Sequence, residues 1–415
     1  MFRENHLRRL LEGRRILIAG YGREGRSAGQ IIGRLLPEAK PAIADGNAQI
    51  AEQAAKGYDL IIKSPGVPLS VLGGAANVSS LTDLFLQVYA DRVVGVTGTK
   101  GKSTTASLVH HLLPGSLLAG NIGIPLFDII DRLNADSVVV AELSCHQLEV
   151  LRHGPRVGVL LNLFEEHLDH YASYHDYKMA KMQLGLRQDA NGHLFYCTDN
   201  DELASMVQTL RGSLPASLHP YSHCEVDPGE AEALRKLPLP GAHNHSNALV
   251  ALRVARLVSG KSNEELGNLM ASFKGLAHRL QPLGCYAGLQ WFDDSISTIP
   301  AATLAALGSL GRVDTLIVGG MDRGIDYAPL ADALRAGAVA RVAFVGKAGS
   351  RVLALVGKPE FDYIVEDDYS AIVRWCADST PRGGTVLLSP AAASYDAFRN
   401  FEHRGDYFRQ QIENL

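Results

Sequence analysis

The stretch from Val93 to Thr104 constrains the fold of this chain more than any other part of its sequence. Its β-branched residues predict a buried strand, and Gly98-Thr99-Lys100-Gly101-Lys102-Ser103-Thr104 follows, before a stretch that can form a helix up to Leu113. Glycines in such a turn let backbone N–H groups face a polyphosphate, while lysine offsets its charge and a hydroxyl can bind Mg²⁺. We predict that this loop binds ATP. An ordinary glycine turn is the alternative.

Composition excludes several classes of protein. With 415 residues, 46% of them apolar, the chain exceeds one ordinary core, which predicts about two to four domains. It carries 40 basic and 44 acidic residues, so no broad positive field attracts nucleic acid or an anionic membrane. The sequence shows no signal peptide, no stretch long enough to span a membrane and no Cys-x-x-Cys pair. We therefore expect a cytoplasmic protein with small-molecule ligands and neither a nucleic-acid nor a membrane partner.

The N-terminal region has the pattern of a nucleotide-binding domain. A predicted strand, Arg15 to Ala19, leads into Gly20-Tyr21-Gly22-Arg23-Glu24-Gly25, and a second short strand ends at Asp45. In such units a helix N-terminus receives a phosphate and the acid meets a ribose hydroxyl. A third strand leads into Ser64-Pro65-Gly66. We predict one small domain over residues 1–92, and an NAD site is the first alternative.

Two strands after the phosphate loop end in potential metal ligands. Glu142 follows the strand Ser137 to Ala141, a position typical of a second Mg²⁺ anchor, although it could equally cap the next turn. The strand Val157 to Leu161 precedes the segment Asn162 to His170, whose potential ligands include Glu165, Glu166, His167 and Asp169. A surface histidine is the alternative for His167. Lys178 and Lys181 lie on a predicted helix, where lysines are ordinarily solvated.

The pattern of the remaining sequence predicts a helix and then a further domain. Asn244 and Asn247 precede a predicted helix, Ala248 to Val258, where their ordinary role is capping. From about residue 280, strands and helices alternate again, which predicts a third α/β domain. Three of its strands end in polar sets: Asp293-Asp294-Ser295, Gly319 to Arg323, and Ser389-Pro390.

Taken in order and spacing, these motifs resemble the Mur ligase family. The motifs that carry the resemblance are Gly98 to Thr104, Gly120 to Gly123, Glu142 to Glu149, Asn162 to Asp169, Gly241 to Asn247, His278-Arg279 and Leu388 to Phe401. The resemblance covers essentially the whole chain. It implies an α/β fold of three domains: a Rossmann-like UDP-binding domain (1–92), a central ATPase-like domain with a mostly parallel sheet (93–279), and a Rossmann-like amino-acid-binding domain (280–415).

The resemblance also implies roles for individual residues. It makes Lys102, Glu142, His167 and Lys181 catalytic. One Mg²⁺ would be held by Ser103 or Thr104 with Glu142, and a second by His167 and Lys181, the latter as a carbamylated lysine. Besides the loop from Gly98 to Thr104, the ATP site would include Asn244, Asn247, Arg279 and Asp294. The UDP-substrate site would include Gly22, Arg23, Glu24, Asp45, Ser64, Gly66, Asn121 and His167. The amino-acid site would include Thr298, Arg323, Ser394 and Phe401.

The activity so implied is the ATP-dependent addition of D-glutamate to UDP-N-acetylmuramoyl-L-alanine in peptidoglycan precursor synthesis, by a monomer, through an acyl phosphate. Ile296 stands where the family usually has a lysine, so L-glutamate is an alternative substrate. A folylpolyglutamate-synthase-like ligase is another alternative, which the separate first domain argues against. The third alternative is a non-catalytic nucleotide sensor. A sensor would tolerate the loss of Glu142, His167 or Lys181, but all three are present, which argues against it.

Overall fold

The computed structural model describes residues 2–167, 170–239 and 241–415. Asp169, one of the predicted ligands, lies outside the described residues. The chain forms two compact units, residues 1–273 and 274–415. No described helix is both long enough and apolar enough to cross a bilayer.

The first unit begins with a four-stranded parallel sheet in the order β2-β1-β3-β4. The strands are β1 (Ile16–Ala19), β2 (Ala42–Ala44), β3 (Leu60–Lys63) and β4 (Val78–Ser80). The helices are α1 (Phe2–Leu11), α2 (Arg23–Leu35), α3 (Asn47–Ala54) and α4 (Leu81–Tyr89). Because the strands are parallel, the residues after β1, β2 and β3 meet at one edge, as the sequence predicted.

A second, six-stranded sheet of the same unit is also fully parallel, in the order β10-β9-β8-β5-β7-β6. Its strands are β5 (Val93–Thr97), β6 (Leu117–Gly120), β7 (Val139–Glu142), β8 (Val157–Leu160), β9 (His193–Cys197) and β10 (Ser217–Tyr221). Its helices are α5 (Lys102–Leu112), α6 (Cys145–Leu148), α7 (Tyr174–Leu186), α8 (Asp201–Leu210), α9 (Pro228–Arg235), α10 (Ala242–Ser259) and α11 (Asn263–Met270). Short 3₁₀ segments lie at Leu69–Leu72, Ala90–Arg92, Leu126–Arg132 and Arg211–Ser213.

One hydrophobic core joins the two sheets of the first unit. Leu84 and Phe85 of α4 belong to the same buried cluster as Ile18 of β1 and Val94 of β5. The predicted boundary near residue 92 falls between the sheets, but the shared core makes residues 1–273 one compact unit. The three-domain division therefore stays a prediction.

The second unit contains a mixed six-stranded sheet in the order β11-β12-β16-β13-β14-β15. The strands are β11 (Gln281–Tyr286), β12 (Leu289–Asp293), β13 (Thr315–Gly319), β14 (Arg341–Val345), β15 (Asp362–Val365) and β16 (Thr385–Leu388). The helices are α12 (Pro300–Leu310), α13 (Ala328–Arg335), α14 (Gly346–Val356), α15 (Tyr369–Ser379) and α16 (Phe401–Glu413). Only β11 runs antiparallel to its neighbour among the described strands. Three sheets with mostly parallel strands confirm the predicted α/β fold class.

Two helical glycines of the second unit form a matched pair for a stability test. A Cβ on Gly405 of α16 would lie 2.1 Å from His278 Nδ1 and 2.6 Å from Asp293 Oδ2, whereas a Cβ on Gly308 of α12 would meet nothing within 4 Å. We expect Gly405→Ala to lower the free energy of unfolding by at least about 2 kcal/mol. Gly308→Ala should raise it by about 0.5–1 kcal/mol, because alanine favours helix.

Tryptophan fluorescence during urea denaturation measures this difference. Both tryptophans of the chain, Trp291 and Trp375, lie in the second unit, so the signal reports the unfolding of that unit. Equal midpoints for the two variants would contradict the close approach at Gly405.

Candidate functional site

Two glycines give the phosphate loop its shape. Gly98 has a φ of 157° and Gly101 a φ of 84°, a region that residues with a side chain rarely adopt. A Cβ on Gly98 would lie 2.8 Å from Leu161 Cβ, and one on Gly101 would lie 2.7 Å from Asn247 Oδ1. The loop can therefore approach β8 and α10 closely only because these positions carry no side chain.

The Lys102 side chain folds back over this loop. Its Nζ donates hydrogen bonds of 3.0 Å to the carbonyl oxygens of Gly98 and Thr99. Burial lowers the pKa of Lys102, while the nearby Glu142 carboxylate acts in the opposite direction. Helix α5 begins at this residue, so the helix N-terminus and the ammonium group both favour an anion here.

Glu142, at the end of β7, is a buried carboxylate with one unpartnered oxygen. Its side chain is 2% exposed, and its Oε1 accepts a 2.7 Å hydrogen bond from Asn121 Nδ2. Its Oε2 is buried without a hydrogen-bond partner among the described residues. Because a buried carboxylate oxygen needs a partner and Mg²⁺ prefers oxygen ligands, Glu142 fits the predicted cation site. Ser103 and Thr104 lie in the first turn of α5, which follows β5, the strand next to β7.

The segment after β8 is fastened to the phosphate loop by backbone and side-chain hydrogen bonds. Asn162 O accepts from Thr99 N at 3.0 Å, and Asn162 Oδ1 accepts from Lys100 N at 2.8 Å. Lys100 Nζ pairs with Glu166 Oε1 at 2.6 Å. His167 follows with a left-handed φ of 58°. The loop and the segment 162–167 therefore form one rigid edge of the sheet.

Lys181 is buried beneath this edge. Its side chain is 1% exposed, and its Nζ donates a 3.0 Å hydrogen bond to Gly98 O and lies 4.8 Å from the centre of the Tyr177 ring. Burial lowers its pKa to about 8. The pattern-based interpretation of a solvated lysine is thus wrong for Lys181. Lys178 on the same helix pairs instead with Glu202.

A polar cluster that the sequence analysis missed lies next to this edge. Glu149 pairs through Oε2 with Lys63 Nζ at 2.9 Å and through Oε1 with His170 Nε2 at 2.8 Å. The His146 ring lies 4.2 Å from the His170 ring and 4.9 Å from the His167 ring, between centroids. Burial, with the neighbouring His170, lowers the pKa of His146 to about 4. Lys63 already offsets the Glu149 charge, and it joins β3 of the first sheet to the region after β7.

The predicted UDP-substrate residues line one cavity of about 430 Å³. It is formed by loops after β1, β2, β3 and β6. The predicted residues that line it are Gly22, Arg23, Glu24, Asp45, Ser64, Gly66 and Asn121. Asp45 Oδ1 accepts a hydrogen bond from Tyr21 N, and Ser64 Oγ donates one to Gly20 O at 2.7 Å. His167 is not among the lining residues.

Glu24 places a titratable group in this cavity. Burial raises its pKa to about 7, and a hydrogen bond from Gln147 Nε2 to its Oε1 at 2.6 Å opposes that rise. Asn121, which also lines the cavity, donates a hydrogen bond to Glu142. Asn121 therefore connects the cavity to the carboxylate beside the phosphate loop.

The start of α10 differs from its prediction. The helix begins at Ala242 with Gly241 as the N-cap, so Asn244 and Asn247 lie inside its first two turns. The capping interpretation is wrong for both. Asn247 instead lies against Gly101 of the phosphate loop.

In the second unit, the Asp294 carboxylate is held by hydrogen bonds from residues of the same unit. It is 2% exposed; its Oδ1 accepts from Leu280 N at 3.1 Å and its Oδ2 from Ser389 Oγ at 2.8 Å. Burial raises its pKa, and these hydrogen bonds oppose the rise. Arg279 is exposed next to the buried His278.

Three of the four predicted amino-acid-site residues lie on segments that one buried arginine, Arg404, joins by hydrogen bonds. Arg404, 1% exposed, donates to Ser295 O at 2.8 Å, Ala392 O at 3.1 Å and Ala393 O at 3.3 Å. Ser295 Oγ donates to Phe401 O at 2.8 Å. The residues on these segments are Thr298, Ser394 and Phe401, and Arg323 donates to Thr298 O at 3.2 Å. Arg404 escaped the sequence analysis because a charged helical residue ordinarily indicates a solvated face.

Comparison with known proteins agrees with this arrangement. The family model described as the Mur ligase middle domain matches residues 96–255. An enzyme of Salinispora tropica named UDP-N-acetylmuramoyl-L-alanine–L-glutamate ligase is 35% identical over 97% of this chain and 98% of its own. One of the same name from a Micromonospora species is 36% identical over 97% of both chains. A UDP-N-acetylmuramoylalanine–D-glutamate ligase of Shouchella clausii is 30% identical over 98% of both.

The fold is also that of solved Mur ligases. The structure of MurF from Thermotoga maritima, described as a complex with ADP, matches with a TM-score of 0.58 and 18% identity over 97% of this chain and 96% of that one. The resemblance inferred from the motifs is confirmed by these relatives over nearly the whole length of the chain. The chain belongs to the Mur ligase family and is an ATP-dependent ligase.

Proposed function

We propose that this ligase joins glutamate to UDP-N-acetylmuramoyl-L-alanine and releases ADP and phosphate, a step of peptidoglycan precursor synthesis. The observation that carries the proposal is the 430 Å³ cavity at the edge of the first sheet. Its residue Asn121 donates to Glu142 beside the phosphate loop, so a UDP-substrate bound there would extend toward the γ-phosphate of ATP. Relatives that this chain matches over nearly its whole length are named for this substrate.

The proposed mechanism uses the phosphate loop to bring two anions together. The substrate carboxylate attacks the γ-phosphorus of ATP, which forms an acyl phosphate and releases ADP. The amino group of glutamate then attacks the acyl carbon, and the tetrahedral intermediate expels phosphate. Lys102 and the N-terminus of α5 offset the charge of the phosphates as it shifts between oxygens.

Two Mg²⁺ ions complete this proposal. Ser103 or Thr104 with Glu142 would hold one, and His167 with Lys181 the other. The unpartnered, buried Glu142 Oε2 supports the first site. When bound, Mg²⁺ would polarise phosphoryl oxygens and neutralise developing charge.

Carbamylation of Lys181 is part of the same proposal. Burial lowers the pKa of Lys181 to about 8, so a fraction of its amine is neutral near pH 7 and can attack CO₂. The product is a carbamate with one negative charge, and one proton is released. No carboxylate pairs with Lys181 in the described part of the chain, which supports a negative group formed on the lysine itself.

The predicted roles in the second unit are kept as proposals. Thr298, Arg323, Ser394 and Phe401 would bind glutamate, with Arg323 gripping a carboxylate by paired hydrogen bonds. Arg279 and Asp294, together with Asn244 and Asn247 of the first unit, keep their proposed role toward the nucleotide. A monomer in the cytoplasm that binds neither nucleic acid nor membrane remains our expectation.

Either enantiomer of glutamate is a candidate substrate. D-Glutamate follows from the family resemblance and from relatives named as D-glutamate ligases at 29–34% identity. L-Glutamate is favoured by the two relatives at 35% and 36% identity, which are named L-glutamate ligases. Ile296, half-buried beside Ser295, also removes the positive charge that the family usually has there.

Phosphate release tests the function and the enantiomer together. The protein is incubated with ATP, Mg²⁺ and UDP-N-acetylmuramoyl-L-alanine, and with D-glutamate, L-glutamate, D-aspartate or no amino acid. We expect release that requires a glutamate and favours one enantiomer by at least about tenfold, because a fixed pocket cannot hold both mirror images equally well. If no phosphate is released with any of the amino acids, the result would contradict the proposal and favour the nucleotide-sensor alternative.

Two lysines of α7 give a matched test of the proposed carbamate. Lys181→Met should lower kcat by about 10²-fold or more, because it removes a group at the charged centre of the reaction. Lys178→Met, three residues earlier, should keep kcat within about twofold, since Lys178 pairs with Glu202. Steady-state kinetics at saturating substrates measures both. Full activity of Lys181→Met would remove this lysine from the mechanism.

The stability of the same variant should depend on pH. Below pH 8, folded Lys181 carries a buried charge, so Lys181→Met should unfold at a higher temperature than the parent. As pH rises through about 8, the folded lysine loses its proton while the unfolded lysine keeps its own up to about 10.5. The unfolded state then binds more protons, so the parent gains stability.

The variant's advantage in Tm should therefore shrink between pH 7 and 9.5. Differential scanning calorimetry in CO₂-free buffers measures it, and CO₂ is excluded so that no carbamate forms. A difference in Tm that stays constant over this range would contradict the lowered pKa.

A further inference from the structure

A cluster of three polar side chains outside the site described above lies at the outer strands of the six-stranded parallel sheet. Asp199 follows β9, and His223 and Cys224 follow β10. All three donor groups lie within 4.8 Å of one another, and the Cys224 thiol is exposed. Neither the family resemblance nor the proposed ligase reaction gives these residues a role.

The histidine ring bridges the carboxylate and the thiol. His223 Nδ1 lies 2.6 Å from Asp199 Oδ2, and His223 Nε2 lies 3.4 Å from Cys224 Sγ. A carboxylate can only accept, so Nδ1 carries the proton that is donated to Asp199. In the neutral ring Nε2 is then the lone-pair nitrogen, and it faces the thiol. This is the order of groups by which a base activates a nucleophile.

Asp199 is fixed so that it can orient the ring. Its Oδ1 accepts a 2.5 Å hydrogen bond from Ser222 Oγ, and its Oδ2 accepts a 2.8 Å hydrogen bond from His223 N. These donors hold the pKa of Asp199 below its ordinary value although partial burial opposes them. Ser222 Oγ also accepts from Cys224 N at 3.0 Å. One serine therefore positions both the carboxylate and the cysteine.

The other ionisable groups nearby leave the histidine as the base for this thiol. Cys197 Sγ lies 3.7 Å from Asp199 Oδ2 but is buried. Arg253 of α10 donates to Glu225 O and pairs with the Glu230 carboxylate, so its charge is already offset.

We propose that Cys224 is a nucleophilic thiol, activated by His223 and oriented through Asp199, that forms mixed disulfides with low-molecular-weight disulfides. The thiol proton passes to His223 Nε2, and the thiolate attacks one sulfur of the disulfide. The S–S bond of the small molecule breaks, its other sulfur leaves as a thiolate, and that thiolate takes the proton from His223. The products are the Cys224 mixed disulfide and one free thiol.

The site lies on the edge of the sheet that also carries the phosphate loop. Asn200, directly after Asp199, accepts from Leu163 N at 3.0 Å and donates to Leu163 O at 3.3 Å. Leu163 belongs to the segment 162–167, which the phosphate loop holds. Asp199, which orients His223, is therefore one residue away from a direct contact with that segment.

Cys285 is the matched control for the experiment, because it is also exposed and no hydrogen bond to its thiol exists among the described residues. The full-length protein is treated with iodoacetamide between pH 5.5 and 9 in EDTA, and peptide mass spectrometry gives the rate at each cysteine. At pH 6.5 we expect Cys224 to react about tenfold faster than Cys285, because His223 Nε2 lies 3.4 Å from the Cys224 thiol and can accept its proton as the sulfur attacks. Oxidised glutathione under the same conditions should modify Cys224 first.

Two variants distinguish activation of the Cys224 thiol by His223 from the effect of its exposure to solvent. His223→Asn should bring the rate and pH profile of Cys224 to those of Cys285, and Asp199→Asn should lower the rate by a smaller factor. Circular dichroism and ligase activity check that each variant is folded. Equal rates at Cys224 and Cys285 in the parent protein, or a pH profile that His223→Asn leaves unmoved, would overturn the proposal.

Discussion

The close approach of the phosphate loop to the end of β8 is the constraint on which the rest of the site depends. Gly98 reaches Leu161 at a distance that a side chain would forbid, and this brings Thr99 N to Asn162 O and Gly98 O to Lys181 Nζ. The predicted phosphate loop, a segment rich in potential ligands and a buried lysine are thereby held against one another. Any bulk at this glycine would move all three.

A second connection runs from the opposite side of the central strand. Asn121 extends from β6 to Glu142 at the end of β7, and it also lines the cavity at the edge of the first sheet. The shared core beneath the two sheets keeps this cavity in register with the phosphate loop. Lys63 and Glu149 add a buried ion pair across the same junction; breaking such a pair leaves an uncompensated charge. The cavity and the predicted phosphate loop are therefore joined by packed and charged contacts.

Some buried polar side chains of this protein make their hydrogen bonds within the chain, whereas others keep an oxygen without a partner in the part of the chain that the structure describes. Asp294 and Arg404 have their hydrogen bonds satisfied inside the second unit, which suits residues that shape loops. Glu142 Oε2 and Glu24 Oε2 are buried without partners among the described residues. Since unpartnered buried oxygens are costly, their retention at the predicted metal and substrate sites supports binding there.

The sequence by itself determined the α/β class, the strands that precede the predicted sites and the motifs at the ends of those strands, because β-branched runs, glycine turns and helical periodicity are local signals. It correctly placed Asp45 and Ser64 at the carboxyl edge of the first sheet and Glu142 at that of the six-stranded parallel sheet, since parallel strands end on the same side. Only the tertiary structure decided the burial of Lys181, the starting point of α10, the Lys63–Glu149 pair and the alignment of Asp199 with His223. These depend on which distant segments pack together, and the order β10-β9-β8-β5-β7-β6 is set by the packing of the whole core and not by any local pattern.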